Sequence, residues 1–263
     1  MPRLFLPHID SLDRIFSITG EKAHYLTSVL RSKKGDDLII FGGQGRCIRA
    51  SITKVNRKEV VAEIVEQFPC DLESPLNLIL VQGLLKGENM DLIVRKTTEL
   101  GIKELVPVIT GRSQLRDTRK ALRWRKIAEE ASRQSGRSSV PVIHDPVRFE
   151  QFLSGAATAG QNGEPQIGSG GKLNGFIFWE DRGLSLNEAI NRISVSPGRL
   201  LAASPIHILI GAEGGFTPEE VAVAAEKGFQ AVSLGRRILR SETAAIASVA
   251  LVQFLLGDMG EGR

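Results

Sequence analysis

The sequence predicts an α/β protein: a mostly parallel sheet with covered faces, preceded by a small β-barrel. Three observations carry this. From residue 76 onward short apolar runs alternate with segments of helical periodicity, the pattern of repeated βα units. The run 76–85 is almost unbroken in its apolar character, as a strand buried on both faces requires. Before residue 70 the texture is instead a series of short β-prone runs separated by turn residues.

Taken in order, 4–6, 15–18, 38–41, 47–55 and 60–65 read as strands, and 46–53 alternates in part as a half-buried strand does. One helix interrupts them over 21–31, with Ala23, Leu26, Val29 and Leu30 at helical spacing. Proline and acidic residues replace the alternation at 68–75, which divides the chain into domains 1–70 and 74–263. Beyond the strand at 76–85, Met90, Ile93, Val94, Thr97 and Leu100 share one helical face that Gly101 stops. Strands at 105–109, 140–143, 176–179, 206–210 and 231–234 then alternate with helices at 118–135, 148–153, 185–193, 217–227 and 242–256. The Gly-, Ala-, Ser- and Gln-rich stretch 155–172 has no periodicity and reads as a mobile surface loop.

Composition excludes several classes. No apolar run approaches the roughly 20 residues that cross a bilayer, so no membrane partner is expected. The start, 1–8, is short and broken by proline, unlike a signal peptide. Cys47 and Cys70 give neither a disulfide framework nor a CxxC spacing, and His8, His24, His144 and His207 are scattered. A cytoplasmic, metal-free protein is expected. The net charge of +4 is a weak sign of an anionic partner. Basic residues crowd 112–137, where Arg112, Arg116, Arg119, Lys120, Arg123, Arg125, Lys126, Arg133 and Arg137 face only Asp117, Glu129 and Glu130. A solvated helix face explains most such runs, and a phosphate-contacting surface is the alternative.

Parallel sheets bind ligands beyond the carboxyl ends of their strands, and two strand ends here stand out. The strand 206–210 runs into Gly211, Ala212, Glu213, Gly214, Gly215 and Phe216, followed by Thr217 and Pro218 as helix-starting residues. Closely spaced glycines bring backbone near a ligand, although they would equally make a tight turn. The spacing is not GxGxxG, no GK[ST] is present, and Glu213 with the following glutamates would repel a pyrophosphate. A neutral or cationic ligand fits better. The second strand end leads into Leu234, Gly235, Arg236, Arg237, Ile238, Leu239 and Arg240, then a helix beginning near Ser241 or Glu242. A basic turn before a buried helix is the plain alternative, but Ile238 and Leu239 are apolar residues in a loop, as a cover for something flat would be.

These two segments, the first 211–216 and the second 234–244, closely resemble the paired signature of the RsmE family. Supporting matches are Lys86, the stretch 96–101, Pro107 with Arg112 and Ser113, the segment from Trp124 through Ala131 to Arg137, and His24 with 29–31 and 35–36. The resemblance spans nearly the whole chain. Ala212 stands where the family usually has proline, and Ser241 where threonine is more usual, which keeps a capping hydroxyl. The resemblance implies a SPOUT-type α/β domain, its last third tied in a trefoil knot, behind a PUA-like RNA-binding barrel. It implies a 16S ribosomal RNA uridine N3-methyltransferase of the small subunit that uses S-adenosyl-L-methionine and acts as a homodimer; the apolar face of the last helix, with Val249, Val252 and Phe254, suits pairing and equally an ordinary core.

Cofactor contacts implied are Trp179, Glu180, Gly211, Ala212, Glu213, Gly214, Gly215, Leu234, Gly235, Ile238, Leu239, Arg240, Thr243 and Ala244. Arg240 first and Arg112 second are the candidates to stabilise charge on the uracil, with Glu242 a candidate base. Lys22, Arg31, Lys33, Lys86, Arg116, Arg123 and Arg137 are candidate RNA contacts, with Lys34 beside them. Two rival classes remain: an RNA-binding assembly factor that keeps the fold without methylating, and a dinucleotide-dependent oxidoreductase, which lacks its fingerprint here.

Overall fold

The computed structural model describes residues 1–7, 12–42, 46–70, 72–115, 118–155, 173–192 and 205–260. Arg116 and almost all of the 155–172 stretch lie outside the described residues. The chain forms two compact units, Met1–Glu73 with Glu129–Val140, and Ser74–Ala128 with Pro141–Arg263.

The first unit is built on β1 (Arg3–Phe5), β2 (Ile15–Thr19), β3 (Asp37–Phe41), β4 (Arg46–Val55) and β5 (Glu59–Pro69), in the order β1-β3-β4-β5-β2. All pairs are antiparallel except β1 with β3. Alternation works as expected: Phe16 and Ile18 of β2 point inward while Ile15 and Ser17 do not. Register shifts bend β4 against β5, and the sheet curls on a core that includes Phe16, Leu26, Leu38, Ile40, Ile48 and Val60. Among the described residues its end strands β1 and β2 are not paired with each other.

Two expectations are corrected in this unit. The helix expected over 21–31 is α1 (Gly20–His24) followed by a π turn, Tyr25–Val29, and it ends at Arg31 with φ of 53°. The Thr27 hydroxyl donates to the Ala23 carbonyl at 2.9 Å, the local competition that widens a helix. Cys47 and Cys70, read as unpaired, form a disulfide with Cα atoms 5.5 Å apart. Cys47 stands opposite Phe68 in the β4–β5 register, which brings Cys70 alongside, and spacing along the chain does not display register.

The second unit holds a parallel sheet with the order β12-β10-β11-β6-β7-β8 and β9 beside β7. Its strands are β6 (Leu78–Gly83), β7 (Glu104–Ile109), β8 (Val142–Ile143), β9 (Val147–Arg148), β10 (Gly175–Phe178), β11 (Ile206–Ile210) and β12 (Phe229–Val232). Every residue of β6, β10 and β11 is buried, which explains why these strands are apolar apart from Gln82 and His207. The helices are α2 (Asn89–Glu99), α3 (Ala121–Ser135), α4 (Phe149–Leu153), α5 (Leu186–Arg192), α6 (Pro218–Glu226) and α7 (Ser241–Leu256). Helix α3 begins in this unit and ends in the first, whose sequence share therefore includes 129–140.

One face of the sheet carries a core of Val81, Val106, Phe149, Phe152, Leu209, Phe216 and Val221, supplied by α4, α6 and the strands. The other is covered by α2 and α7, which pack on each other while α7 also meets β6 and β11. After edge strand β12 the chain therefore crosses back to the central strands, the return that a knotted C-terminal third requires. Strand β12 sits two residues before its expected place: Phe229 is in the core, and Leu234 is released from the sheet. Val249 and Val252 are fully buried, so of the three residues expected on the pairing face only Phe254, 59% exposed, faces outward. Among the described residues no helix is long and apolar enough to cross a membrane, and no group of three or more His, Cys, Asp or Glu is placed to hold a metal ion.

Candidate functional site

Strand β11 delivers the chain into the 211–216 turn, and α6 begins immediately after it. Glu220 donates its amide to Thr217 Oγ1 at 3.2 Å while its carboxylate accepts the Thr217 amide at 2.9 Å, a capping box with Pro218 at the first position. The other oxygen of the same carboxylate accepts the Gly111 amide at 2.7 Å, which ties the loop after β7 to the start of α6. Beside it the Glu219 carboxyl is held below the usual carboxylate range by hydrogen bonds from its own backbone amide and from the Thr217 hydroxyl, helped by the charge of Arg112.

The glycines have separate duties. Gly215 has φ of 68°, and a Cβ there would lie 2.4 Å from Glu180 Oε1, so its bareness admits the carboxylate against the backbone. At Gly83, the last residue of β6, a Cβ would lie 2.3 Å from the Ala212 nitrogen, so strand end and turn meet backbone to backbone. Arg112 Nη1 donates to the Gly214 carbonyl at 3.0 Å and lies 3.9 Å from Glu180 Oε1. Glu213, expected at the cofactor, accepts the Lys86 amide at 2.8 Å. The turn is thus braced by three neighbouring loops.

The second loop leaves β12 through Ser233, whose hydroxyl donates to the Gly235 carbonyl at 3.2 Å. Its exit corrects one expectation. Arg240 is the cap residue of α7 and makes no side-chain cap bond. The Ser241 hydroxyl instead donates to the Gly211 carbonyl at 2.6 Å and accepts from Gln82 Nε2 at 3.0 Å. Gln82 is a fully buried amide at the end of β6, so the two glycine-bearing loops are joined through the middle strand of the sheet.

Beyond the carboxyl ends of β10 and β12 lies an open cleft. Phe178, Trp179 and Glu180 form one wall, and Ser233 to Leu239 with Ala244 form the other. The cleft therefore gathers Trp179, Glu180, Leu234, Gly235, Ile238, Leu239 and Ala244 from the expected cofactor set. Gly211, Ala212, Glu213 and Gly214 do not line it, nor do Arg240 and Thr243; the 211–216 turn meets the wall through Gly215 at Glu180. Arg240 is exposed and Glu242 half-buried at the first turn of α7. Phe178, Ser233, Arg236 and Arg237 also line the cleft and were missed, as were the braces Gln82 and Glu220. A lone glutamine closing an apolar strand, and a glutamate three residues after the capping threonine, were the available signals.

The expected RNA contacts separate. Arg31, Lys33 and Lys86 have exposed side chains. Arg123 is exposed but ion-paired with Asp91. Lys22 donates to the Phe5 carbonyl and lies 3.6 Å from Glu129. Arg137 is corrected: it is 3% exposed, with Nη2 2.7 Å and Nε 3.2 Å from the Glu73 carboxylate. Releasing it to a phosphate would strand a buried carboxylate.

Comparison with known proteins agrees with this arrangement. The family model described as an RNA methyltransferase domain matches residues 72–253, and that described as an RNA methyltransferase PUA domain matches 18–65. Ribosomal RNA small subunit methyltransferase E of Bacillus subtilis is 31% identical over 248 residues, 91% of this chain and 90% of that one. Its counterpart in Buchnera aphidicola is 29% identical, covering 98% of this chain and 95% of the other. The structure of ribosomal RNA small subunit methyltransferase E from Neisseria gonorrhoeae bound to S-adenosyl methionine matches with a TM-score of 0.81 at 31% identity, covering 98% of this chain and 99% of that one.

A curled PUA-type sheet and a parallel sheet with a cleft at its strand ends define an RNA methyltransferase of the SPOUT class. The chain belongs to the ribosomal RNA small subunit methyltransferase E family.

Proposed function

We propose that the chain methylates N3 of one uridine in the 16S RNA of the small ribosomal subunit, using S-adenosylmethionine, as a cytoplasmic homodimer. The observation that carries this reading is the cleft beside Glu180. Its lining is apolar at Phe178, Leu234, Leu239 and Ala244, the kind of wall that small-molecule sites present to a ligand. Among the described residues Glu180 is the only acidic group in the lining, and it suits a ligand carrying sulfonium and ammonium charge. The bare Gly215 Cα lets that carboxylate sit against the 211–216 backbone. The residues present therefore fit the cofactor.

Bound there, the cofactor supplies an electrophilic methyl group for in-line attack by the uracil nitrogen. The chain's own part is placement: rigid strand ends hold nucleophile and methyl in line, which is where much of the rate of such a transfer originates. The N3 proton must leave, and negative charge grows on the uracil oxygens. Arg240, exposed at the start of α7, is the first candidate to stabilise that charge, and Arg112, fixed against Gly214, the second. Glu242, two residues beyond Arg240, is the candidate to take the proton. The exposed Arg31, Lys33 and Lys86 supply phosphate contacts. Leu251, Phe254 and Leu255 expose apolar surface along α7 and support pairing of two copies.

The test is transfer of label from S-adenosylmethionine to small subunits isolated from cells lacking this gene, with the product nucleoside identified by mass. The reading requires 3-methyluridine at one site. Cofactor binding without label in small subunits would mean that the substrate is another; no cofactor binding at all would leave an assembly factor in its place.

A further inference from the structure

We propose that Arg236 and Arg237 form a clamp for the phosphates that flank the target uridine, so that the wall of the cofactor cleft is also part of the RNA site. The inference rests on the methyltransferase reading above and adds residues that it does not use.

Both side chains line the cleft and both are exposed, on a loop whose tip, Ile238, is 85% exposed. Neither has a hydrogen bond or ion pair among the described residues. Several other arginines face carboxylates: Arg112 faces Glu180, Arg123 pairs with Asp91, Arg125 with Asp145, Arg133 with Glu130 and Arg137 with Glu73. Arg240 follows three residues later and is likewise exposed without a partner among the described residues. Three unneutralised cations in five residues repel one another, and such an arrangement is relieved by an anion that spans them.

The cofactor is a poor candidate for that anion. Its single carboxylate comes with an ammonium and a sulfonium, so it brings net positive charge to a wall that already carries two cations. Its positive groups match Glu180 on the opposite wall. A single-stranded RNA presents one phosphate per nucleotide. Bringing uracil N3 to the cleft necessarily lays the phosphates on either side of that nucleotide along the rim. Arginine's planar fork suits phosphate oxygens. The two side chains then grip the strand where the base leaves it, close to the chemistry rather than on a remote docking surface.

The experiment uses the full-length protein with R236A/R237A, and with R236K/R237K, which keeps charge but not the fork. The expected results for the alanine pair are a cofactor Kd within about twofold of wild type and a KM for small subunits raised at least about tenfold. The dependence of log KM on log salt should also flatten by about 1.4, from two lost phosphate contacts at about 0.7 each. The lysine pair should restore the salt slope and only part of the KM. A raised cofactor Kd with unchanged RNA KM would overturn the clamp and give the arginines to the cofactor carboxylate. Unchanged values throughout would overturn it also. Wild-type protein that binds cofactor but labels no RNA would remove the underlying methyltransferase reading itself, a failure visible before any variant is made.

Discussion

The hydroxyl of Ser241 and the carbonyl of Gly211 are joined by a hydrogen bond of 2.6 Å, across 30 positions of sequence and between the two glycine-bearing loops. Gln82 donates to both oxygens, at 3.0 Å and 3.3 Å. Removing the hydroxyl leaves buried polar atoms without their partner, a cost of about 1–3 kcal/mol. Ser241→Ala is therefore expected to lower stability by about that amount and to weaken cofactor binding, while Ser241→Thr keeps both. Urea denaturation beside calorimetric titration of the cofactor checks both; an alanine variant that binds normally would separate the network from the site.

Gly215 and Gly235 both have positive φ, but only Gly215 also has no room. Alanine at Gly215 meets the strain of φ 68° and a Cβ 2.4 Å from Glu180 Oε1, whereas at Gly235, φ 100°, nothing lies within 4 Å. Left-handed strain alone is about 1–2 kcal/mol. Gly235→Ala should weaken cofactor binding by up to about tenfold, and Gly215→Ala by more, since about 1.4 kcal/mol is each further factor of ten. Equal affinities for the two variants would mean that Glu180 moves freely and does not shape the cleft.

How far the sequence could be read follows from which features are local. The turn at 211–216 and the capping residues Thr217 and Pro218 carry their conformation in their own residue types, and the structure has them as expected. The nearly continuous apolar run at 76–85 marked β6, because a strand buried on both faces has few polar positions. Pairings made across the fold left no such mark. Arg137 belongs to a basic run in sequence, yet its partner Glu73 is 64 positions away. Cys47 and Cys70 meet only through strand register. Ser241 stands where a cap residue would, but its hydroxyl is drawn to Gly211 by the approach of another strand end.

His207 lies in β11, 2% exposed, edge-on to Phe152 and Phe229. Burial pushes its pKa down, against smaller upward pulls from the Asn174 carbonyl and the Glu104 carboxylate. Below about pH 6.5 the unfolded chain protonates this ring while the folded chain resists it. The unfolded state then binds more protons, so stability rises with pH through that window and is lost as pH falls below about 6.5. Urea midpoints measured from about pH 7.5 to about pH 5.5 should decline for the wild type and less steeply for His207→Gln. Parallel slopes would assign the acid loss to other groups.

Glu220 joins two functions that separate substitutions can pull apart. Its carboxylate completes the cap of α6 at Thr217 and holds the Gly111 amide, and the next residue, Arg112, reaches Gly214 and Glu180. Glu220→Ala removes both bonds of a carboxylate that is only 9% exposed, so a stability loss of about 1–2 kcal/mol and a fall in Tm of about 2–8 °C are expected. Glu220→Gln keeps one acceptor oxygen and should retain either the cap or the Gly111 bond, with an intermediate loss. If Glu220 also positions Arg112, the effects of Glu220→Gln and Arg112→Ala on kcat will not add: once Arg112 is gone, loosening its loop costs little more. A double-mutant cycle on kcat then gives a coupling of about 1 kcal/mol, against nearly none for a purely structural cap. The stability cycle for the same pair should be close to additive, since the Arg112 guanidinium is not among the partners of the Glu220 carboxylate. Coupling in kcat without coupling in stability would mark Glu220 as a positioning residue for Arg112.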